Sequence, residues 1–401
     1  MDINSQPIIL AFSGGLDTTA IALWLQENYS CEIIAYCAAL GNADSPDEIG
    51  RHAKRLGIET FIYEDLEEEL LADFINPFLK TGASYQSNYL LGTAIARPLI
   101  ASKIAAVAKK YNAKAIVHGA TGKGNDQIRF EKAWSYLVPG VELIAPWKLW
   151  DFKGREDLIQ YISDKGYDFD FPNKTFSIDE NLFHVSYEGG PLESLETSYE
   201  DHLPHLAPVK TDPEQWKLSF EAGQMTAVES IGDEGASYQN SLDAFKKLNE
   251  IGSGFAIGIE DIVEERINGI KSRGIYATPA GTMVKHALDQ LKSVCWDYET
   301  FQTAQFLAIK YGESVYHGNW FGPAKNSIDA FFSEACQSLN GEITLKISPN
   351  TIKVACRKVS LSLYSEDLVS FENDKFGLNA AADGFCKTLN FKYQNMGEIH
   401  V

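Results

Sequence analysis

Along the first 150 positions of this 401-residue chain, short apolar runs alternate with longer stretches whose apolar residues recur at helical spacing. Ile8-Ile9-Leu10 reads as a buried strand and residues 20–25 as a helix. Residues 32–36 form the next strand by pattern, with Ala38-Ala39-Leu40-Gly41 at its carboxyl end. A helix is predicted over 46–56, with Ser45 as N-cap and Pro46 in its first turn. Thr60-Phe61-Ile62-Tyr63 is a third strand, and the acidic residues 64–69 read as a solvated helix start. Residues 100–108 are helical, with Pro98 near the start, and Ala115-Ile116-Val117 and Leu143-Ile144-Ala145 are two further strands. Strands that alternate with helices predict an α/β fold with a doubly wound parallel sheet, and ligands of such sheets lie beyond the carboxyl ends of the strands.

The pattern then changes. Residues 166–174 read as a crossing into a second domain, and 191–214, with four prolines and no clean period, as a long excursion. Trp216-Lys217-Leu218-Ser219-Phe220 alternates as a strand that Ala222-Gly223 turns back into 225–228. Leu242, Phe245, Leu248 and Ile251 have helical spacing, as do Val284, Leu288, Leu291 and Cys295 after Pro279. Residues 301–311 and 327–336 are helical by pattern, and two alternating runs meet at Pro349-Asn350 as a hairpin. The expected organisation is a first domain over 1–168, a mixed α+β domain over 169–377 and a C-terminal segment over 378–401.

Composition narrows the class. Hydrophobic residues are 45% and charged ones 22% of the chain, as in an ordinary globular protein, with length enough for two cores. The net charge of -20 argues against a general nucleic-acid binder, which needs clustered Lys and Arg. No basic leader and no apolar run of membrane-spanning length is seen, so a cytoplasmic protein without a membrane partner is expected. Six cysteines without a C-x-x-C pair read as free thiols, and eight histidines show no metal spacing.

Two loops carry candidate chemistry. Ala11-Phe12-Ser13-Gly14-Gly15-Leu16-Asp17-Thr18-Thr19 joins the first strand to the first helix. Free N–H groups and the helix dipole favour anions there, and the glycines let backbone approach a phosphate. It lacks the lysine of the usual P-loop, so hydroxyls and backbone would hold the phosphates. The alternative is a tight turn without a ligand. The second loop, residues 118–131, follows the strand at 115–117 and packs Asn125, Asp126 and Arg129 within five residues. It reads either as a site at the binding edge of the sheet or as a flexible surface loop, and His118 as a structural hydrogen-bonder.

The first loop resembles the PP-loop of the N-type ATP pyrophosphatases, with their adenine nucleotide alpha hydrolase-like fold. Together with Gly119-Ala120-Thr121-Gly122-Lys123-Gly124-Asn125-Asp126-Gln127-Ile128-Arg129-Phe130-Glu131 it resembles the argininosuccinate synthases. Residues 89–98, Ile144-Ala145-Pro146-Trp147, 177–182, 186–190, 261–264 and 271–276 extend that resemblance over nearly the whole chain.

The resemblance implies an ATP-dependent ligase of arginine biosynthesis that joins citrulline and aspartate through a citrulline-adenylate, releasing AMP and pyrophosphate. It implies a synthetase second domain and a C-terminal arm that reaches a neighbour in a homotetramer. ATP would contact Ala11 to Thr19, Ala38, Gly119 and Gly122, with Mg²⁺ carried on its phosphates and no metal site of the protein's own. Citrulline would be held by Tyr89, Asn125, Arg129, Ser177, Ser186, Glu264 and Tyr276, and aspartate by Thr121, Asn125 and Asp126. Asn125, Asp126 and Arg129 would catalyse by positioning, without a covalent nucleophile. On residue pattern alone, Glu264 equally suits a solvated helix carboxylate, Tyr89 the core and Arg97 the surface.

The chain departs from the family pattern at Gly41-Asn42, Ala94, Ala277 and Ile259, where the family carries glutamine, often serine, glutamate and arginine. Residues 191–240 are also divergent. Two other readings compete. A tRNA-modifying thiolase or amidotransferase synthetase of the same superfamily calls for cysteine pairs, a basic surface or a glutaminase motif, none of which is present. A non-catalytic paralogue calls for damage in the PP-loop or in Asn125, Asp126 and Arg129, and all are intact.

Overall fold

The structure is a computed structural model that describes residues 6–41, 45–86, 88–120, 124–171, 175–232, 235–370, 372 and 374–399. Five parallel strands, β1 (Ile8–Ala11), β2 (Ile33–Ala39), β3 (Thr60–Asp65), β4 (Ala115–Val117) and β5 (Glu142–Ile144), form one sheet in the order β3-β2-β1-β4-β5. Strand residues alternate between faces, so Ile8 and Leu10 join the core under the helices Leu16–Asn28 and Arg155–Asp164. Ile9 and Ile116 face the other core, under the helices Gly92–Lys110 and Asn125–Leu137. Helices on both faces make the sheet doubly wound. The order reverses at β1, so the loops after β1 and β4 are neighbours at the switch point where such sheets open a crevice.

Beyond this sheet lie two antiparallel ones. β6 (Ser177–Glu180), β7 (Val185–Glu188), β11 (Ile259–Glu265) and β12 (Lys271–Ala277) form a four-stranded sheet in the order β11-β12-β7-β6. β8 (Glu214–Glu221), β9 (Gln224–Ser230), β10 (Ser237–Tyr238), β13 (Gly341–Ser348) and β14 (Thr351–Val359) form a five-stranded one. Ala222 and Gly223 both have positive φ, as the tight hairpin between β8 and β9 requires. Helices Ser241–Gly254 and Pro279–Cys295 close its core.

Three expectations need correcting, and a fourth, the excursion, gains an anchor. The helix expected from residue 100 begins at Gly92, with Pro98 in its interior. Ala94, Ile95, Ala96 and Leu99 are all buried, and that packing outweighs the hydrogen bond the proline removes. The strand β3 runs on to Asp65, and the helix after it passes through a π-helical turn, Leu70–Ile75. The excursion at 191–214 is anchored by Leu192 and Leu203, which bury against Tyr187 and Ile275. Finally, the strands β6, β7, β11 and β12 lie in stretches where no strand was expected, because polar side chains interrupt their alternation.

The two halves meet at a close seam. Leu182 donates its N–H to the Leu40 carbonyl at 2.5 Å, beyond the end of β2. A Cβ on Gly92 would stand 2.2 Å from the His184 ring, so only glycine fits there. The last helix, Leu378–Ile399, behaves otherwise. Phe385, Leu389, Phe391, Tyr393 and Met396 on it are all exposed.

Candidate active site

The loop after β1 is a compact turn into the first helix. Gly14 sits at φ +71, in the left-handed region glycine favours. The Gly15 carbonyl accepts from Thr19 Oγ1 at 2.8 Å, Thr18 Oγ1 at 3.2 Å and the Thr19 N–H at 2.9 Å. Ser13 Oγ stands 3.4 Å from both the Gly15 N–H and Thr18 Oγ1. Phe12 and Leu16 are buried beneath the turn, while Ser13 is exposed above it. Burial pushes the Asp17 carboxyl above its ordinary range, against its own backbone hydrogen bond and the pull of Arg155. Ala11 ends β1, and Ala38 lies half-buried near the end of β2.

The loop after β4 leans on this turn. A Cβ on Gly119 would stand 3.4–3.7 Å from Ile21, Thr18 and Asp17, ordinary contact distance. His118 is buried, accepts the Ala120 N–H on Nδ1 at 3.2 Å, and lies 3.7 Å from Glu131 on its other nitrogen. Thr121 and Gly122, expected to meet aspartate and ATP, lie outside the described residues. From Ala120 and Gly124 the loop continues into the wall of a separate cavity.

That cavity has a volume of about 750 Å³. It is a half-open cleft walled by the loop after β4, the helices Gly92–Lys110 and Asn125–Leu137, and the four-stranded sheet. Of the residues expected to hold the amino acids, Tyr89, Asn125, Asp126, Arg129, Ser177, Ser186 and Glu264 line it. Tyr276 does not; it stacks behind Tyr89, ring centres 4.1 Å apart. None of residues 11–19 lines it, so the turn after β1 and the cavity adjoin through the loop after β4.

Charge inside the cavity is paired across elements. Asp126 Oδ2 accepts from Arg97 Nε at 2.9 Å, and Asp126 Oδ1 accepts from Arg129 Nη1 at 2.8 Å. Arg97 also bonds Asp179 on β6, tying the helix Gly92–Lys110 to the four-stranded sheet. Burial pushes the Asp126 carboxyl up, but the two guanidinium groups more than reverse this and hold it below the usual carboxylate range. Arg129 donates its Nε–H to the Tyr316 carbonyl at 3.1 Å. Asn125 is a strut: Oδ1 accepts the Ile267 N–H at 3.0 Å, and Nδ2 donates to the Tyr316 hydroxyl at 2.9 Å.

Glu264 differs from its neighbours. It is only 4% exposed, and its Oε2 has no partner among the described residues. Burial pushes its carboxyl up to about 7, with Arg129 pulling it down and Glu188 pushing it further up. Glu188 is itself raised by burial, against the bridge to Arg266 at 2.9 Å. A buried carboxylate oxygen without a donor, on a residue that lines a cavity, is a candidate acceptor for a ligand's N–H.

Sequence reasoning did not pick Thr93, Arg97, Asp179, Glu188, Arg266, Lys271 and Arg273 as lining residues, yet all seven line the cavity. A signal existed for some. Ser177 and Asp179, and Ser186 and Glu188, are spaced by two on neighbouring strands, which puts each pair on one face. Arg97 stands alone among buried alanines and leucines. Arg273 chelates Asp261 with two bonds, at 2.8 and 2.6 Å, so that acid keeps a counter-charge although Ile259 replaces the family's arginine. Among the described residues, five basic and five acidic side chains line the walls, a balance suited to zwitterions.

Residues 7–168 match the family model described as the arginosuccinate synthase N-terminal HUP domain, and 176–396 match that of the arginosuccinate synthase C-terminal domain. An argininosuccinate synthase from Endomicrobium trichonymphae is 41% identical over 387 residues, covering 94% of this chain and 91% of the relative. One from Caldicellulosiruptor saccharolyticus is 39% identical over 406 residues, covering 100% and 98%. One from Clostridium botulinum is 38% identical over 385 residues, covering 95% and 96%. With both halves matched and these relatives aligned along their lengths, the chain belongs to the argininosuccinate synthases, ligases that join citrulline to aspartate at the expense of ATP.

Proposed function

We propose that the turn over residues 11–19, with Ala38, Gly119 and Gly122, binds ATP, and that the adjoining cavity binds citrulline and aspartate. The observation that carries this reading is the shared loop. Its Gly119 rests on the nucleotide turn, while its Ala120 and Gly124 line the charge-balanced cavity. A phosphorus held at the turn and an amino acid held in the cavity are thus brought to one border.

In this reading Arg129, with Ser177 and Ser186, takes the citrulline α-carboxylate, and the free Oε2 of Glu264 accepts from its nitrogen. Tyr89 walls the side chain, and Tyr276 supports Tyr89 from behind. The ureido oxygen attacks the α-phosphorus, pyrophosphate leaves, and the aspartate amine then displaces AMP. Asp126 accepts from two guanidinium groups and keeps lone-pair capacity for one more donor, the aspartate ammonium. Thr121 and Asn125 hold that substrate's carboxylate. Positioning and charge neutralisation carry the chemistry.

Mg²⁺ suits the donor set as a companion of the nucleotide. Asp17 is the single carboxylate of the turn, and Mg²⁺ commonly binds through one or two carboxylates with substrate phosphates and water. It would neutralise the departing pyrophosphate. We assign residues 1–168 to the nucleotide domain, 169–377 to the synthetase domain and 378–401 to an arm that docks on a neighbour in a homotetramer. The row of exposed apolar residues on the last helix supports the arm. A cytoplasmic setting suits the six free cysteines.

The test is pyrophosphate release with citrulline and aspartate supplied singly and together. Turnover that needs citrulline, with AMP and pyrophosphate as products, is expected. ADP and orthophosphate as primary products would sink the assignment.

A further inference from the structure

The helix Pro46–Arg55 touches the nucleotide turn at two points. Ile49 lies under Gly14, where a Cβ would meet its side chain at 3.6 Å. One turn further along, His52 Nε2 stands 2.8 Å from Thr19 Oγ1. Thr19 is fully buried, and its one hydroxyl proton goes to the Gly15 carbonyl at 2.8 Å. The hydroxyl therefore accepts from His52, which fixes the imidazole as the Nε2–H tautomer. Its ring stacks on Phe169 with centres 4.1 Å apart and planes at 20°. Phe169 also carries the Arg55 guanidinium 4.2 Å from its ring centre. Burial and Arg55 keep His52 neutral, with its pKa lowered to about 4.

We propose that His52 is a positioning residue of the nucleotide turn. It holds the Thr19 hydroxyl, and through it the Gly15 carbonyl, so that the backbone N–H groups of the turn face the phosphates. The stack on Phe169 sets the ring angle, which couples the turn to the segment leaving the first sheet. This role rests on the reading that the turn binds ATP. His52 touches no substrate and transfers no proton; it fixes a carbonyl whose peptide plane sets where the neighbouring N–H groups point.

The test compares His52→Leu, which keeps an apolar body against Phe169, with His52→Gln, which restores a donor. His52→Leu should raise the ATP KM or lower kcat by about tenfold, while the citrulline and aspartate KM values stay within about twofold. His52→Gln should recover part of the loss. Thr19→Val removes the hydroxyl without changing its shape, and His52→Leu should add little in that background. Melting temperatures of all variants report folding separately. An ATP KM and kcat unchanged in His52→Leu, a parallel rise of all three KM values, or full additivity with Thr19→Val would each overturn the proposal. Ser13→Ala separates the two readings. If it weakens ATP and His52→Leu does not, the role of His52 fails alone; if neither variant affects ATP, the nucleotide assignment fails with it.

Discussion

The turn proposed to bind ATP and the cavity proposed to bind the amino acids share a loop, yet they are built in opposite ways. The turn is one continuous stretch of nine residues, and its tools are backbone N–H groups, two glycines and three hydroxyls. The cavity draws side chains from the loop after β4, two helices and all four strands of a polar sheet, and its tools are paired charges. The turn works mainly through backbone groups that every residue carries, with three short hydroxyls holding its shape, so conformation is its chief requirement. The cavity works through net interactions between desolvated ions, where loss of one partner strands the other at a cost of roughly 3–5 kcal/mol. Local substitutions should therefore act gently in the turn and severely in the cavity.

The largest effect is expected at Asp126. Asp126→Asn keeps the shape but removes the charge between Arg97 and Arg129, and misplaces the aspartate amine. Argininosuccinate formation should fall about 10²-fold or more. Positional isotope exchange in ATP, run with citrulline and without aspartate, should persist in part. Loss of both in parallel, in a folded variant, would assign Asp126 to the nucleotide or to the loop.

Arg129→Lys should come next. Lysine keeps the charge but cannot reach both Asp126 and the Tyr316 carbonyl as a planar fork. A loss of about 1–3 kcal/mol in citrulline binding is expected, with the ATP KM unchanged. Steady-state titration of each substrate in turn checks this, and an unchanged citrulline KM would make Arg129 purely structural.

Glu264 tests the electrostatics of the cavity through pH. Burial raises its folded pKa to about 7, well above the value of a free glutamate. The folded protein thus binds the extra proton more tightly than the unfolded one between those two values. Its contribution to stability is full below the unfolded pKa and is lost as pH rises to about 7. Glu264→Gln should then melt higher than the parent at pH 8, by an effect on the order of 1–3 kcal/mol, with the difference shrinking towards pH 5. Citrulline affinity of the parent should weaken as pH falls below about 7. A melting difference independent of pH would contradict this.

The smallest effect is expected in the turn. Gly14→Ala places a Cβ at φ +71, with room against Ile49 at 3.6 Å. The cost is conformational, roughly 1–2 kcal/mol, and should show in the ATP KM while citrulline and aspartate are spared. A loss as deep as that of Asp126→Asn would erase the contrast between the two regions.

The parallel sheet and the glycine turn from β1 into the first helix were legible in the sequence because both follow from local rules. Ile8-Ile9-Leu10 is apolar on both faces, as a strand buried under helices must be, and Gly14-Gly15 with its flanking hydroxyls marks a tight strand-to-helix turn within a few residues. The hairpin at Ala222-Gly223 and the helix through Leu242, Phe245, Leu248 and Ile251 were equally local. The four-stranded sheet escaped because its strands carry Ser177, Asp179, Ser186, Glu188 and Glu264 towards the cavity, and such polar faces erase the alternation that marks a strand. Pro98 likewise hid the start of its helix, since tertiary packing can outweigh a missing hydrogen bond. The family resemblance named Asn125, Asp126, Arg129 and Glu264, but their states are set by partners far along the chain. Arg97 meets Asp179 across 82 positions, and Asn125 meets Tyr316 across 191. Charge pairing and desolvation depend on distance in space, and no local pattern carries that distance; only the folded chain decides which carboxylate is neutralised and which, like Oε2 of Glu264, has no partner among the described residues.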